Sequence, residues 1–396
     1  MTNKFVLFNK FVLFNKFVLP GNLVIILLTL FSFTGCRIIS ETEISGLAIV
    51  QMLAVDENED GELVVSILLS DLRDENNVTE NSEDKKGDKN TKKLISASGK
   101  SFSMIERELQ KMYEKRLFWG HVDYFIFGEA VMSENIYKHI DYFSNEPYFR
   151  MNANIYLADG KASELILKTE EMGYYLPDYF DHFLKTSHLL SDSSKMTLLD
   201  LVGKRDEHAF TMPRISIIND KINVEGYGVI KDGNLVGYIE ENAAKGYNML
   251  RNMMDDLIVD IHFSDTDVSL KQLKSKVKMT PCVTSGHLSE IKIQIETKCN
   301  ILEIKSLSDT RMIDHIKDIS QEEEKLITTY IKETILKIKE FKADIAGFGG
   351  VYRRKFPETY NFDNWDSVIE NLKFEISVKC AINRAYDSRE YDKGVF

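Results

Sequence analysis

The sequence predicts an α+β fold of several domains, with mixed and antiparallel sheets and packed helices behind a removable leader. Three observations carry that reading. Alternating apolar and polar residues recur, most clearly where Ile291, Ile293 and Ile295 interleave with Lys292, Gln294 and Glu296, the pattern of a strand with one wet face. Between such runs lie stretches with apolar residues at helical spacing, such as Phe102, Ile105, Leu109 and Met112. The two kinds are mixed without a βαβ rhythm, which points away from a doubly wound parallel sheet.

The leader comes first. An apolar run from Leu23 to Phe33 follows Lys4, Lys10 and Lys16 and is closed by Thr34, Gly35 and Cys36. A basic start, a short apolar core and small residues at the end make a secretory signal peptide. The run is too short to span a bilayer comfortably, which takes ~20 apolar residues. A cysteine at the cleavage point is what a lipoprotein signal requires, because its thiol accepts diacylglycerol before the cysteine becomes the new N-terminus. Residues 1–35 are therefore expected to be the signal peptide and Cys36 the lipidation site, although Phe33 stands where a lipobox usually has leucine. The hexamer that starts at Asn3, Asn9 and Asn15 is too short for a solenoid unit and lengthens the basic segment.

Everything after Cys36 is expected to be a soluble body tethered to the outer face of a membrane. Without the three leader lysines, the whole-chain charge of −12 becomes −15. An acidic body lacks the basic stripe of a nucleic-acid binder, and anionic headgroups repel it, so attachment falls to the lipid. The 396 residues suggest two or three domains. Cys282, Cys299 and Cys380 form no CxxC pair. A Cys282–Cys299 disulfide is conceivable, but buried free thiols are the expected state.

Residues 36–205 read as an N-terminal α+β region. Ile44 to Val55 and Glu62 to Leu69 are strand-like and joined by the charged loop Asp56 to Gly61, hence a hairpin. Residues 72–93 hold almost no apolar side chains and read as a mobile acidic loop. Ser103 with Glu106 has the spacing of a capping box opening a helix. Then come a strand at His121 to Phe127, a helix at Asn135 to Phe143, a strand at Ala153 to Leu157, and helices around Lys161 to Leu167 and Asp178 to Leu190.

Residues 206–396 read as a C-terminal α+β region. Its first part, 212–255, is a small meander: Pro213 to Ile218, Ile222 to Ile230 and Leu235 to Ile239, then a helix from Glu241 to Met253. Strands follow at Ile258 to Phe263, Val268 to Met279 and Ile291 to Cys299. Ser320 with Glu323 has capping-box spacing at the start of the longest helix, which runs to Lys342 with Ile327, Ile331, Ile338 and Phe341 on its inner stripe. Phe374, Ile376, Val378 and Cys380 face one way on a last strand.

Chemistry is sparse. The chain has no GxSxG, GxxxxGK[ST] or HExxH motif. His182 and His188 share a predicted helix but stand six residues apart, a poor spacing for metal ligands. Gly347 to Gly350 follows a helix rather than a strand, so it reads as a helix C-cap and tight turn, not a phosphate cradle. Arg353, Arg354 and Lys355 could grip an anion but read as a solvated basic turn. Tyr174, Tyr175 and Tyr179 could line a pocket but read as core. No catalytic, cofactor-binding or metal-binding residues are assigned.

Several stretches together resemble a known family. They are Gly99-Lys100-Ser101-Phe102-Ser103, Phe118-Trp119-Gly120-His121, Phe127-Gly128-Glu129, Glu225-Gly226-Tyr227-Gly228, Leu235-Val236-Gly237, Lys342-Ala343-Asp344-Ile345-Ala346-Gly347-Phe348-Gly349 and Asn364-Trp365. With the lipobox, they resemble the Ger(x)C family of spore germination lipoproteins over nearly all of the chain beyond Cys36. Two features depart from it: Arg37-Ile38 stands where the family commonly has Trp-Asp, and the 72–93 loop is longer. The resemblance implies a three-domain α+β lipoprotein on the outer face of the spore inner membrane. It implies a non-catalytic C subunit of a nutrient germinant receptor, without cofactor, beside a multi-pass A-type subunit and a transporter-like B-type subunit. No motif specifies a germinant. Gly120, Gly128, Gly226, Gly228 and Gly347 read as fold residues. The competing readings are a solute-binding lipoprotein of a transporter, which calls for two parallel-sheet lobes, and a lipoprotein hydrolase, which calls for a nucleophile or metal motif.

Two acyl chains make attachment effectively permanent where one is marginal, since each buried CH₂ contributes ~0.8 kcal/mol. Cys36→Ala is expected to leave an unprocessed precursor that takes up no labelled palmitate. Labelling equal to wild type would remove the lipidation site.

Overall fold

The computed structural model describes residues 46–70, 94–186, 194–253, 257–263, 266–306, 315–360 and 365–384. The expected signal peptide (residues 1–35), the expected lipidation site Cys36, the expected loop at 72–93 and His188 lie outside the described residues. From Ala48 onward the chain forms one compact unit.

The expected hairpin is present as β1 (Leu47–Glu57) and β2 (Leu63–Ser70). The Asn58 side chain ties its loop, accepting from the N–H groups of Asp60 at 3.1 Å and Glu62 at 2.8 Å. β3 (Leu94–Gly99) pairs with β2 and was not anticipated. On the other side the sheet turns parallel. β5 (Tyr124–Phe127) pairs parallel with β1, β6 (Asn154–Ala158) with β5, and β7 (Ala209–Ile218) with β6. The absence of a βαβ rhythm is therefore a misreading. Tyr124 to Phe127 and Asn154 to Ala158 are strands as expected, but they are buried on both faces in the manner of parallel strands, and it is this pairing that was missed.

The antiparallel strands at both ends keep the class α+β. β9 (Tyr227–Lys231) and β10 (Asn234–Ile239) extend the sheet beyond β7. β4 (Arg116–Phe118) and β8 (Lys221–Asn223) attach at the side, making ten strands. Helices α1 (Phe102–Lys111), α2 (Glu129–Ser133), α3 (Tyr137–Asn145), α4 (Ala162–Glu171), α5 (Leu176–Thr186) and α6 (Leu198–Gly203) connect the strands.

The second sheet has four strands. β12 (Thr266–Thr284) and β13 (His287–Ser306) make one long hairpin. It turns through Ser285 and Gly286, both at positive φ (53° and 82°), as a tight hairpin turn demands. β11 (Ile258–Phe263) flanks β12 antiparallel, and β14 (Lys373–Arg384) flanks β13 parallel. Packed with this sheet are α7 (Glu241–Leu250), the long α8 (Ile316–Phe341), α9 (Phe348–Lys355) and α10 (Trp365–Asn371).

Both expected capping boxes fail. α1 opens at Phe102 with Ser101 at its N-cap, and Glu106 accepts the Tyr142 hydroxyl at 2.9 Å instead. α8 opens at Ile316, so Ser320 is interior and donates to the Ile316 carbonyl at 3.0 Å. Glu323 then falls in the buried stripe between Ile319 and Ile327. A true box joins Thr197 and Asp200 at the start of α6.

Gly246 sets how closely α7 meets α8. A Cβ there would stand 2.2 Å from the Tyr330 carbonyl oxygen and 2.3 Å from Thr334 Oγ1. Overfilling such a contact costs ~1–3 kcal/mol. Gly246→Val is expected to lower the urea midpoint accordingly, whereas Gly203→Ala, where a Cβ meets nothing within 4 Å, should leave it unchanged or higher.

Candidate functional site

A cleft of about 640 Å³ opens where the approach to β7, the end of α7, the middle of β12 and the segment around α9 converge. Its wall is built around His208 and Asp344, two residues brought together from 136 positions apart. α8 ends at Lys342 in the left-handed region, and the chain turns through Asp344 to Gly347, which is itself at φ 79°. Gly347 is the N-cap of α9, so the glycine-rich stretch opens a helix rather than ending one. Arg353, Arg354 and Lys355 accordingly form its last turn, not a loop.

The Asp344 carboxylate caps this helix from inside. Its Oδ1 accepts from the Phe348 N–H at 2.8 Å and its Oδ2 from the Gly349 N–H at 2.6 Å. A Cβ on Gly349 would sit 3.2 Å from that carboxylate and 3.0 Å from the Trp365 ring, so glycine leaves room for both. Burial pushes the Asp344 carboxyl up from its ordinary value, while the Gly349 and Phe348 N–H groups and nearby His208 pull the other way. The N–H groups that could have cradled a phosphate already hold a carboxylate.

His208 is held on both sides. Its Nε2 lies 2.7 Å from Asp366 Oδ1, and the Asp344 N–H points at its Nδ1 at 3.5 Å, an arrangement for the tautomer protonated on Nε2. Asp366 also takes the Lys231 ammonium. Burial alone would raise the Asp366 carboxyl; the hydrogen bonds from Lys231 and His208 outweigh it and hold the group below its ordinary value. A His–Asp pair of this kind could serve a hydrolase only with one imidazole nitrogen turned to a nucleophile. Here both nitrogens face the protein's own groups. Arg251, Arg353 and Arg354 line the cleft together with Asp206 and Glu207, a mixed rather than cationic lining.

The other singled-out residues are scattered. Tyr175 bonds the Gln51 side chain, and Tyr179 donates to the Ile222 carbonyl at 3.3 Å and stacks on Phe183; both edge the core, while Tyr174 is exposed. His182 is on α5 and is not among the residues lining the cleft. Gly120 packs on the Phe118 ring and Gly226 on the Ile239 carbonyl. A Cβ on Gly128 would lie 2.1 Å from Asp56 Oδ1. Asp56 is no loop residue: it is buried and caps α4 by accepting from the Ala162 and Ser163 N–H groups at 2.7 and 2.9 Å. Glu129 takes the Tyr238 hydroxyl. Cys282, Cys299 and Cys380 are free. Register puts Cys282 opposite Glu290 and Cys299 opposite Gln272, far apart on one hairpin, so no disulfide joins them. The metal-ligating residue types that converge among the described residues are Cys299, Glu323 and Cys380.

Fold and site together define a two-part α+β protein whose signature acids and glycines anchor its own helices. Residues 40–217 match the model of the spore germination protein N-terminal domain, and residues 225–386 match the spore germination B3/GerAC-like C-terminal model. The chain belongs to this spore germination family. It is 22% identical over 394 residues to spore germination protein KC of Bacillus subtilis, covering 91% of this chain and 94% of that protein. It is 23% identical over 367 residues to putative spore germination protein YfkR of the same organism, covering 89% and 93%. The fold is similar to the crystal structure of the GerBC protein, with a TM-score of 0.55 at 14% identity over 84% of this chain and 96% of that one. No helix among the described residues is long and apolar enough to cross a membrane.

Removing the Asp344 acceptor strands two buried N–H groups, each worth ~1–3 kcal/mol. Asp344→Ala is expected to destabilise by that order, and Asp344→Asn by less. Because burial leaves the folded-state carboxyl raised, its protonated form favours folding. The stability of wild type relative to Asp344→Asn should therefore improve as pH falls toward the unfolded-state value, and decline as pH rises through the folded one.

Proposed function

We propose that this protein is a lipid-anchored, non-catalytic subunit of a spore nutrient germinant receptor, working by association with an A-type and a B-type membrane subunit. The observation that carries the proposal is the use to which the family's signature residues are put. Asp344, Gly347 and Gly349 build a helix cap, and Gly128 makes room for Asp56, another cap. These groups shape a rigid body and leave its outer surface for contact with partners. The family match, the relatives described as spore germination proteins and the cysteine-terminated leader support the same reading.

A tether raises local concentration at the membrane, so modest surface contacts suffice to hold a complex. The reading places the body on the outer face of the spore inner membrane, held through Cys36. Spores lacking the protein are expected to lose or slow their response to some nutrients while non-nutrient triggers still act. The tagged protein should bring down A-type and B-type subunits from spore membranes. Normal germination with every nutrient tested, or recovery of the protein without either subunit, overturns the proposal.

A further inference from the structure

The core between α8 and the four-stranded sheet is apolar except at one place. Ile291, Ile293, Ile295 and Ile301 of β13 are buried, but Thr297 and Cys299 interrupt their row. Cys380 of β14 pairs in register with Thr297, and Gln272 of β12 pairs with Cys299. Residues paired in register project to one face of a sheet, so these four share it. Glu323 of α8 points onto them. Its Oε1 lies 2.8 Å from Cys299 Sγ and its Oε2 lies 2.6 Å from Cys380 Sγ. The three ligand atoms stand within 4.8 Å of one another.

This cluster is hard to justify as packing alone. A buried carboxylate is normally neutralised, paired with a cation or bound to a metal. The hydrogen bonds to Glu323 come from two thiols, which are weak donors. On the same face the Gln272 amide nitrogen and oxygen and the Thr297 hydroxyl have no hydrogen-bond partner among the described residues. Gln272 is 0% and Thr297 2% exposed. Each such orphan costs ~1–3 kcal/mol. An apolar replacement would fill the volume without that penalty.

We propose that Cys299, Glu323 and Cys380 bind one divalent metal ion of the zinc type. Two thiolates select a borderline or soft ion over calcium or magnesium, which take oxygen ligands. Around zinc, with bonds of ~2.3 Å to sulfur and ~2.0–2.2 Å to oxygen, tetrahedral ligands stand ~3.3–3.8 Å apart, within the compass of the cluster. Binding replaces the two thiol protons, and a carboxyl proton where one is held, with the metal; these protons leave to solvent and no electron moves. The fourth ligand is a water that donates its two hydrogens to Gln272 Oε1 and Thr297 Oγ1, giving both buried oxygens a partner. Once bound, the ion ties α8 to β13 and β14. A disulfide is the poorer use of the pair. Cys380 pairs with Thr297, two residues from Cys299; strands ~4.8 Å apart with a rise of ~3.3 Å per residue put such diagonal Cα atoms ~8 Å apart, beyond the ~4.4–6.8 Å Cα spacing of disulfides.

The test uses the full-length chain in detergent, carrying Cys36→Ser so that Cys282, Cys299 and Cys380 are its remaining thiols. After chelation, one equivalent of Co²⁺ is expected to give a thiolate-to-metal charge-transfer band in the near ultraviolet and visible bands of tetrahedral intensity, both bleached by Zn²⁺. Cys299→Ser and Cys380→Ser should each weaken binding at least tenfold, Glu323→Gln should weaken it, and Cys282→Ser should not. Should the serine variants misfold, the parent chain decides: Zn²⁺ should raise its melting midpoint and slow the reaction of Cys380 with a thiol reagent at least tenfold. Absence of the cobalt band, a band unchanged in properly folded Cys299→Ser and Cys380→Ser chains, a Cys380 reactivity indifferent to Zn²⁺, or a Cys299–Cys380 disulfide in the protein as purified overturns the proposal.

Discussion

Two strands buried on both faces hold the rest of the structure together. Along Ala209–Met212 and Tyr227–Ile230, successive side chains alternate between two cores. Phe210, Met212 and Ile230 enter the core of the large sheet, while Ala209, Tyr227 and Val229 enter the core of the four-stranded sheet and α8. Strands in that position have no solvent face to carry polar groups, so their hydroxyls must find partners. Thr211 donates to the Tyr247 hydroxyl at 2.8 Å, and Tyr227 donates to Asn248 Oδ1 at 2.6 Å, binding both strands to α7. Glycine appears where the layers close most tightly: a Cβ on Gly228 would meet Leu157 at 2.3 Å, and one on Gly237 would meet the Phe341 ring at 2.4 Å. The two family regions, 40–217 and 225–386, are separate in sequence, yet their junction runs through this doubly buried pair.

That arrangement explains which elements were legible in the sequence. Strands with one wet face announced themselves: Ile291, Ile293 and Ile295 are buried, as their alternation requires. So did the inner stripe of α8, with Ile327, Ile331 and Ile338 all buried. The central strands at Tyr124–Phe127 and Asn154–Ala158 were legible too, but their parallel pairing was not, because no local window shows which strands become neighbours. The helix starts were misread for a different reason. A serine followed three residues later by glutamate fits a capping box and equally fits a helix interior, where serine bonds back to the i−4 carbonyl as Ser320 does. The genuine box at Thr197 and Asp200 uses aspartate in the glutamate's place.

The candidate site was half legible. The segment Asp344 to Gly349 stood out by its residues, and its glycines do serve the fold. What composition could not convey is that Asp344 faces forward, onto the N–H groups of the next helix, or that His208 meets it from 136 residues away. Asp56 and Glu323 were hidden in the same way. Both are acidic side chains in charged surroundings in the sequence, and both are buried. A buried acid is fixed by long-range contacts, and no local window contains them.

Asp56, Glu323 and Asp344 are the buried carboxylates among the described residues, and comparing them isolates what is unusual about one. Removing a carboxylate from water is unfavourable unless donors replace the water. For Asp56 and Asp344 the donors are pairs of backbone N–H groups at helix starts, where the helix dipole adds its own attraction. Each of these acids also has a glycine at its flank, Gly128 or Gly349, that clears space for it. Glu323 has neither arrangement. It lies seven residues into α8, beyond the reach of the N-terminal N–H groups, and meets two sulfur atoms and a face of orphaned polar side chains. Two of the three buried acids thus close on the backbone and complete the fold, while the third is left with donors that become good ligands on losing their protons.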